Sequence, residues 1–155
     1  MTLMVETAAD LSAHAGTLLG RSDWLVIDQA RIDGFADLTG DRHWIHVDIE
    51  RARSEMPGGR TIAHGLLVLS LIPQLQSQIY TVRRRGAGLN YGYDTVRFVT
   101  PVPVGSRVRL ALTLSAIEPH PQGTRVLTKS EIEIEGTDRP ALVAHNILLL
   151  KDPVS

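Results

Sequence analysis

Ala63-His64-Gly65-Leu66-Leu67-Val68-Leu69-Ser70-Leu71-Ile72-Pro73-Gln74-Leu75-Gln76-Ser77-Gln78-Ile79 is the stretch on which the fold turns. Read as a helix, it spreads Ala63, Leu66, Leu67, Val68, Leu69, Leu71, Ile72, Leu75 and Ile79 over most of the circumference for two turns. A helix that is apolar almost all round belongs inside a core. Pro73 removes one helical donor and implies a kink. Gln74, Gln76 and Gln78 suit a last turn nearer to water. The spacing predicts one buried helix over 63–79, and the rest of the chain has to supply a surface that covers it.

The residues after this stretch read as that surface. Val108, Leu110, Leu112 and Leu114 alternate with Arg107, Arg109, Ala111 and Thr113, the period of a half-buried strand. Over 124–135, Val126, Thr128, Ser130, Ile132 and Ile134 alternate with Arg125, Lys129, Glu131, Glu133 and Glu135. Basic outer positions on one strand and acidic ones on the next suit cross-strand pairs. Residues 141–150 are apolar on both faces, as in a central strand. A fourth strand is predicted over 89–99, closed by Pro101 and Pro103, which cannot donate to a ladder.

Before the stretch, residues 7–19 read as a short helix with Leu11, Ala15 and Leu18 on one stripe and Gly20 as its stop. Residues 24–27 suit a short strand, and 29–39 a second helix ended by Gly40. Asp48 is placed to cap a short helix through Glu55. Helices first, one buried helix, then a run of antiparallel strands make an α+β layer with a sheet packed on the helix. Strand surface left uncovered suggests a homodimer.

The 155 residues fit one domain, 1–155, that buries about two-thirds of its open-chain surface without staples. With 43% hydrophobic and 21% charged residues the composition is globular rather than disordered. A net charge of −1 gives no global field to favour nucleic acid or an anionic membrane. Absence of cysteine excludes disulfides, thiolate catalysis and Cys-built zinc sites. The first ten residues do not read as a signal peptide, and no apolar run could cross a bilayer. A soluble, cytoplasmic protein is expected.

Functional side chains are densest in Gly40-Asp41-Arg42-His43-Trp44-Ile45-His46-Val47-Asp48. Five residues separate Asp41 from His46, which puts them on opposite faces of a strand and well apart around a helix. They converge only if the backbone between them turns, and Gly40-Asp41 can begin a turn. A carboxylate and an imidazole brought together can hold one water and exchange its proton. Taken alone, an Asp and a His this close are more often structural, here a surface loop in which Asp41 caps a helix and the histidines are solvated. Asp41, His43 and His46 sketch a metal site but lack a clear fourth ligand, so no metal is expected.

Downstream, Gly58-Gly59-Arg60-Thr61-Ile62-Ala63-His64-Gly65 leads into the buried helix, whose first N–H groups lack intrahelical partners. Gly65 would let a ligand carbonyl approach the backbone closely. A tight loop entering a core helix explains this segment as well, with His64 a packed, hydrogen-bonded residue. Gly86-Ala87-Gly88 lacks the further glycine of a dinucleotide loop, and no Gly-x-Ser-x-Gly elbow occurs. Arg83-Arg84-Arg85 is a solvated edge or a contact for ligand phosphates.

Ala36-Asp37-Leu38-Thr39-Gly40-Asp41, Ile45-His46-Val47-Asp48 and Ile62-Ala63-His64-Gly65 together resemble the MaoC-like (R)-specific enoyl-CoA hydratases of the hot-dog superfamily. Arg97-Phe98 followed by Pro101-Val102-Pro103-Val104-Gly105 is similar to that family's strand and turn after the central helix. The resemblance runs from about Trp24 to the end of the chain and is nearest to the NodN-like branch. It implies a hot-dog fold, an antiparallel sheet wrapped around a long buried helix, assembled as a homodimer. It also implies a catalytic dyad of Asp41 and His46, an oxyanion hole at the Gly65 backbone N–H, and His43, Trp44, Ala63 and His64 in substrate binding. The family carries Asn-Pro where this chain has His43-Trp44, which alters the hydrogen bonding beside the dyad and the shape of the acyl pocket.

The implied reaction is reversible addition of water to a trans-2-enoyl thioester of CoA or acyl-carrier protein, giving the (R)-3-hydroxyacyl thioester with no cofactor. Two alternatives share the fold: a thioesterase, in which water attacks the thioester carbonyl, and a non-catalytic acyl-thioester-binding or partner subunit.

Overall fold

The computed structural model describes residues 1–155. In chain order the elements are β1 (Leu3–Val5), a 3-10 turn (Ala8–His14), β2 (Leu18–Arg21), β3 (Leu25–Val26), α1 (Gln29–Thr39), α2 (Trp44–Val47) and α3 (Ile49–Glu55). They continue with α4 (Gly65–Ser70), α5 (Ile72–Gln76), β4 (Tyr80–Val82), β5 (Gly88–Phe98), β6 (Arg107–His120), β7 (Gly123–Ile134) and β8 (Leu142–Lys151).

Six strands form one antiparallel sheet in the order β2-β6-β7-β8-β5, with β3 also paired to β6. A separate parallel pair joins β1 to β4. The inward faces of β6, β7 and β8 carry Leu110, Leu112, Leu114, Ile132 and Leu142, all fully buried in one cluster with Ile72 and Leu75 of α5. The expected α+β layer, a sheet packed on a buried helix, is therefore the architecture. The outer ion pairs form as the alternation predicted: Glu133 takes Arg109 at 2.6 Å and Arg21 at 3.0 Å, and Arg107 meets Glu135 at 2.9 Å.

The segment expected as one helix over 63–79 is two. α4 starts at Gly65, and the chain re-enters helix at Ile72, so that Pro73 falls in the first turn of α5. There its missing N–H is one that a helix start leaves unpaired in any case. The apolar circumference is not wholly covered either, since Leu66 stays 61% exposed.

Residues 7–19 do not form the expected helix. Thr7 and Asp10 close a capping box over a 3-10 turn, Leu11 alone is buried, and Leu18 has left for the sheet, where it pairs with Thr113. Cross-strand pairing outcompeted a weak helical stripe there. Gly20 is consequently a strand residue rather than a stop. Residues 142–151 are interior as expected, although the middle strand is β7. Helix α1 spans the predicted residues, with Asp28 accepting from the Arg31 N–H at its start and Gly40 left-handed at φ +80° beyond its end. Asp48 caps α3 in the same way, accepting from Arg51. No helix is long and apolar enough to cross a membrane.

Candidate active site

Two local reversals shape the segment that carries Asp41 and His46, and the second, between them, brings the pair together. Gly40 stops α1, donating its N–H to the Ala36 carbonyl at 2.8 Å, and the left-handed backbone there turns the chain back. The four residues of α2 then supply a single helical turn, entered from His43. The result brings the ligating atoms of Asp41, His46 and His64 to within 4.8 Å of one another. The surface-loop reading of 40–48 fails at His46, which is 8% exposed, while Asp41 and His43 remain open to solvent; His64 is packed and hydrogen-bonded, as one reading of its segment expected.

Each of the two rings is fixed by backbone. His46 Nδ1 lies 2.7 Å from the Ile62 carbonyl, an acceptor only, so the proton is on Nδ1 and the Nε2 lone pair is free. His64 Nε2 donates to the Asp41 carbonyl at 2.9 Å, which ties the start of the helix segment to the turn bearing the carboxylate. The imidazoles of His46 and His64 stack with centroids 3.8 Å apart and planes 24° apart. Burial holds His46 below the usual imidazole range; the Ile62 carbonyl opposes this, His64 reinforces it, Asp41 opposes it and His43 reinforces it. A neutral imidazole with an open Nε2 is the form that can accept a proton.

A second tier of bonds, unforeseen from sequence, holds the turn in place. Gln29, the first residue of α1, donates to the His46 carbonyl at 2.8 Å and accepts from the buried Thr61 hydroxyl at 2.6 Å. Nothing in the local sequence marks Gln29 or Thr61, because their partners lie 17 and 32 residues away.

Beside His46 lies a mainly apolar cavity of about 160 Å³, with His46, Ala63, Gly65, Val68, Phe98 and Thr100 among its walls; Asp41 and His64 do not line it. As the first residue of α4, Gly65 has no intrahelical partner for its N–H. A Cβ at Gly65 would sit 2.8 Å from the Phe98 ring, so only glycine fits without displacing that ring. Thr100 is a further wall residue missed from sequence; its hydroxyl is buried and has no partner in the chain.

Asp41, His46 and His64 are thus brought together, and Ala63 and Gly65 share a cavity with His46. His43 is exposed, its ring 6.3 Å from that of His46. Trp44 does not line the cavity; the Arg51 guanidinium covers its ring at 4.1 Å. The three clustered groups suit a metal poorly. His46 Nδ1 and His64 Nε2 are spent on carbonyls, which leaves one nitrogen on each ring and the Asp41 carboxylate, with no fourth side-chain ligand beside them.

The profile of the family described as "MaoC like domain" matches residues 10–136. A relative in Mycobacterium tuberculosis, 3-hydroxyacyl-thioester dehydratase Z, is 50% identical over 144 residues, covering 92% of this chain and 95% of its own. Nodulation protein N of Rhizobium leguminosarum is 45% identical over 148 residues, covering 94% and 92%. Among solved structures, the MaoC-like dehydratase from Rhodospirillum rubrum superposes with a TM-score of 0.75 at 19% identity, covering 97% of this chain and all of that one (100%). The unliganded R-hydratase PhaJ1 from Pseudomonas aeruginosa superposes at 0.72 with 21% identity, covering 89% and 82%. These two likenesses place the hot-dog fold.

Proposed function

The chain belongs to the MaoC-like domain family, and we propose that it is a hydro-lyase adding water reversibly to trans-2-enoyl thioesters to give (R)-3-hydroxyacyl thioesters. One observation carries this reading: Asp41 and His46 converge, with the His46 Nε2 lone pair free, and His46 lines a cavity together with Gly65, the first residue of α4. The relatives named as dehydratases of hydroxyacyl thioesters support it, among them a 3-hydroxybutyryl-CoA dehydratase of Methylorubrum extorquens at 33% identity.

In the hydration direction the thioester oxygen accepts from the Gly65 N–H, and the Thr100 hydroxyl is a second donor within the same walls. Such donors stabilise charge that develops only as C3 is attacked. Asp41 and His46 hold the water; its oxygen bonds to C3 while one proton passes to the dyad. The enolate collapses as the dyad returns that proton to C2 from the same face, a syn addition. His64 positions both groups, through its bond to the Asp41 carbonyl and its stack on His46. The acyl chain lies against the apolar walls, Val68 and Phe98 among them.

With crotonyl-CoA, purified protein is expected to remove the enoyl absorbance. Asp41→Asn and His46→Asn should each lower kcat about 10²–10⁴-fold. Wild-type rates in both variants would sink the assignment, and thiol release from saturated acyl-CoA would point to a thioesterase instead.

We also read the chain as a homodimer of one-domain subunits. Strand β5 is eleven residues long, lies at the sheet edge, and exposes Leu89, Tyr91 and Phe98 by 45%, 50% and 53%. A long exposed edge of this kind, carrying three large apolar side chains, is a template for pairing with another chain.

A further inference from the structure

A second cavity, of about 260 Å³, opens at the other end of the α4–α5 seam and shares no wall residue with the dyad cavity. The strand face beside it is unusual for a core. Thr128, Ser130 and Asn146 are only 3%, 0% and 8% exposed, and Thr128 and Asn146 are register partners on β7 and β8. Polar groups buried this far cost free energy unless they are bonded. Ser130 Oγ donates to Asn146 Oδ1 at 2.8 Å, which leaves the Asn146 NH₂ to donate, with no acceptor in the chain. The Thr128 hydroxyl has no partner at all, although of these three residues only Asn146 lines the cavity.

Across the cavity, Gln76 donates to the Tyr80 hydroxyl oxygen at 3.1 Å, so the phenol proton is also unspent. Burial pushes the Tyr80 phenol up to about 12 against the pull of Arg85, which keeps it a donor at any working pH. Arg85 adds a positive charge to the wall, and no Asp or Glu lines the space. Donors, one cation, no acid and apolar flanks at Ile72, Leu148 and Leu150 select a definite chemistry.

We propose that this cavity is a second ligand site, taking a carboxylate carried on a short apolar stem. Two sources share that chemistry: a free short-chain carboxylate, or the far end of an acyl chain whose thioester occupies the dyad site. Leu142 lines the first cavity and Asn146 the second, four residues apart on one face of β8, about 13 Å. The second source rests on the hydratase reading; the first does not.

The test uses the full chain. Calorimetric titration with hexanoate, against hexanamide as the neutral control, should show preference for the acid. Tyr80→Phe and Asn146→Leu should each weaken hexanoate about tenfold or more, the fold-change expected for a lost hydrogen bond to a charged group. Tyr80→Phe removes one oxygen only, so it keeps the test open if Asn146→Leu fails to fold, which thermal melting would report. In parallel, kcat/KM is compared for two ten-carbon 2-enoyl-CoA substrates, one ending in methyl and one in carboxyl. Selection of the carboxyl end, lost in Tyr80→Phe, without uptake of free hexanoate assigns the chain end as the source. No hexanoate binding together with equal kcat/KM for the two substrates overturns the proposal and leaves the hydratase reading standing. Absence of turnover on every enoyl-CoA removes the hydratase reading and leaves the hexanoate arm to decide.

Discussion

At His46, burial and the stacked His64 hold the imidazole below its ordinary value of 6.5. Of the titratable groups around it, Asp41 favours the charged form and His64 and His43 oppose it. The acid limb of kcat/KM should therefore fall below pH 6.5, where protonation finally occupies Nε2. His64→Asn, which removes the stacked ring, should move that limb upward; a limb unmoved in the variant would show that the stack has no such role. The same shift enters stability. A group whose folded value is depressed contributes stability that is present above its unfolded value and lost as pH falls through its folded value. Melting temperatures followed downward from pH 8 should decline through the region below 6.5, and less steeply in His46→Asn.

Gly65 is a residue-scale prediction of a different kind. Its absent Cβ is the space occupied by the Phe98 ring, 2.8 Å away. Gly65→Ala is expected to destabilise the fold by about 1–3 kcal/mol, as overpacking does. Adding Phe98→Ala should recover part of that loss in a double-mutant cycle. Strict additivity of the two changes would mean that they do not compete for one space.

At the scale of elements, the difference between one helix and two has a measurable consequence. Proline inside a continuous helix costs about 3 kcal/mol, so Pro73→Ala would stabilise a single helix over 63–79 by that order. Because α5 begins at Ile72, Pro73 occupies a first-turn position, where its fixed φ suits the helix. Pro73→Ala should change stability by less than about 1 kcal/mol; a large gain in melting temperature would contradict the break. Elements with an end signal were legible: Gly40 closes α1 and Asp48 opens α3, while the Asp28 cap of α1 was added by the structure. Elements held by distant partners were not. β1 and β4 are three residues each, too short for a period, and exist because they pair with each other across 77 positions, Leu3 with Tyr80.

On the scale of the whole molecule, the exposed edge of β5 is the unfinished surface. Sedimentation should give about twice the chain mass for the wild type. Leu89→Lys with Tyr91→Lys should give the single-chain mass, since lysine on an edge strand discourages pairing. A monomeric wild type would refute the dimer and leave the fold unaffected.

By itself the sequence determined what local chemistry and period can determine: a core helix segment, strands with charged outer faces, a helix end at Gly40 and a cap at Asp48, and the identity of Asp41, His46 and Gly65 as candidates. Only the tertiary structure decided that those candidates meet. Residues five apart converge through the single helical turn that begins between them, on a segment that a left-handed glycine turns back and that Gln29, Thr61 and the Ile62 carbonyl hold from elsewhere in the chain. Periodicity reports which side of an element faces the core. It carries no information on which distant carbonyl will take a ring proton, because that bond exists only once the layers have packed.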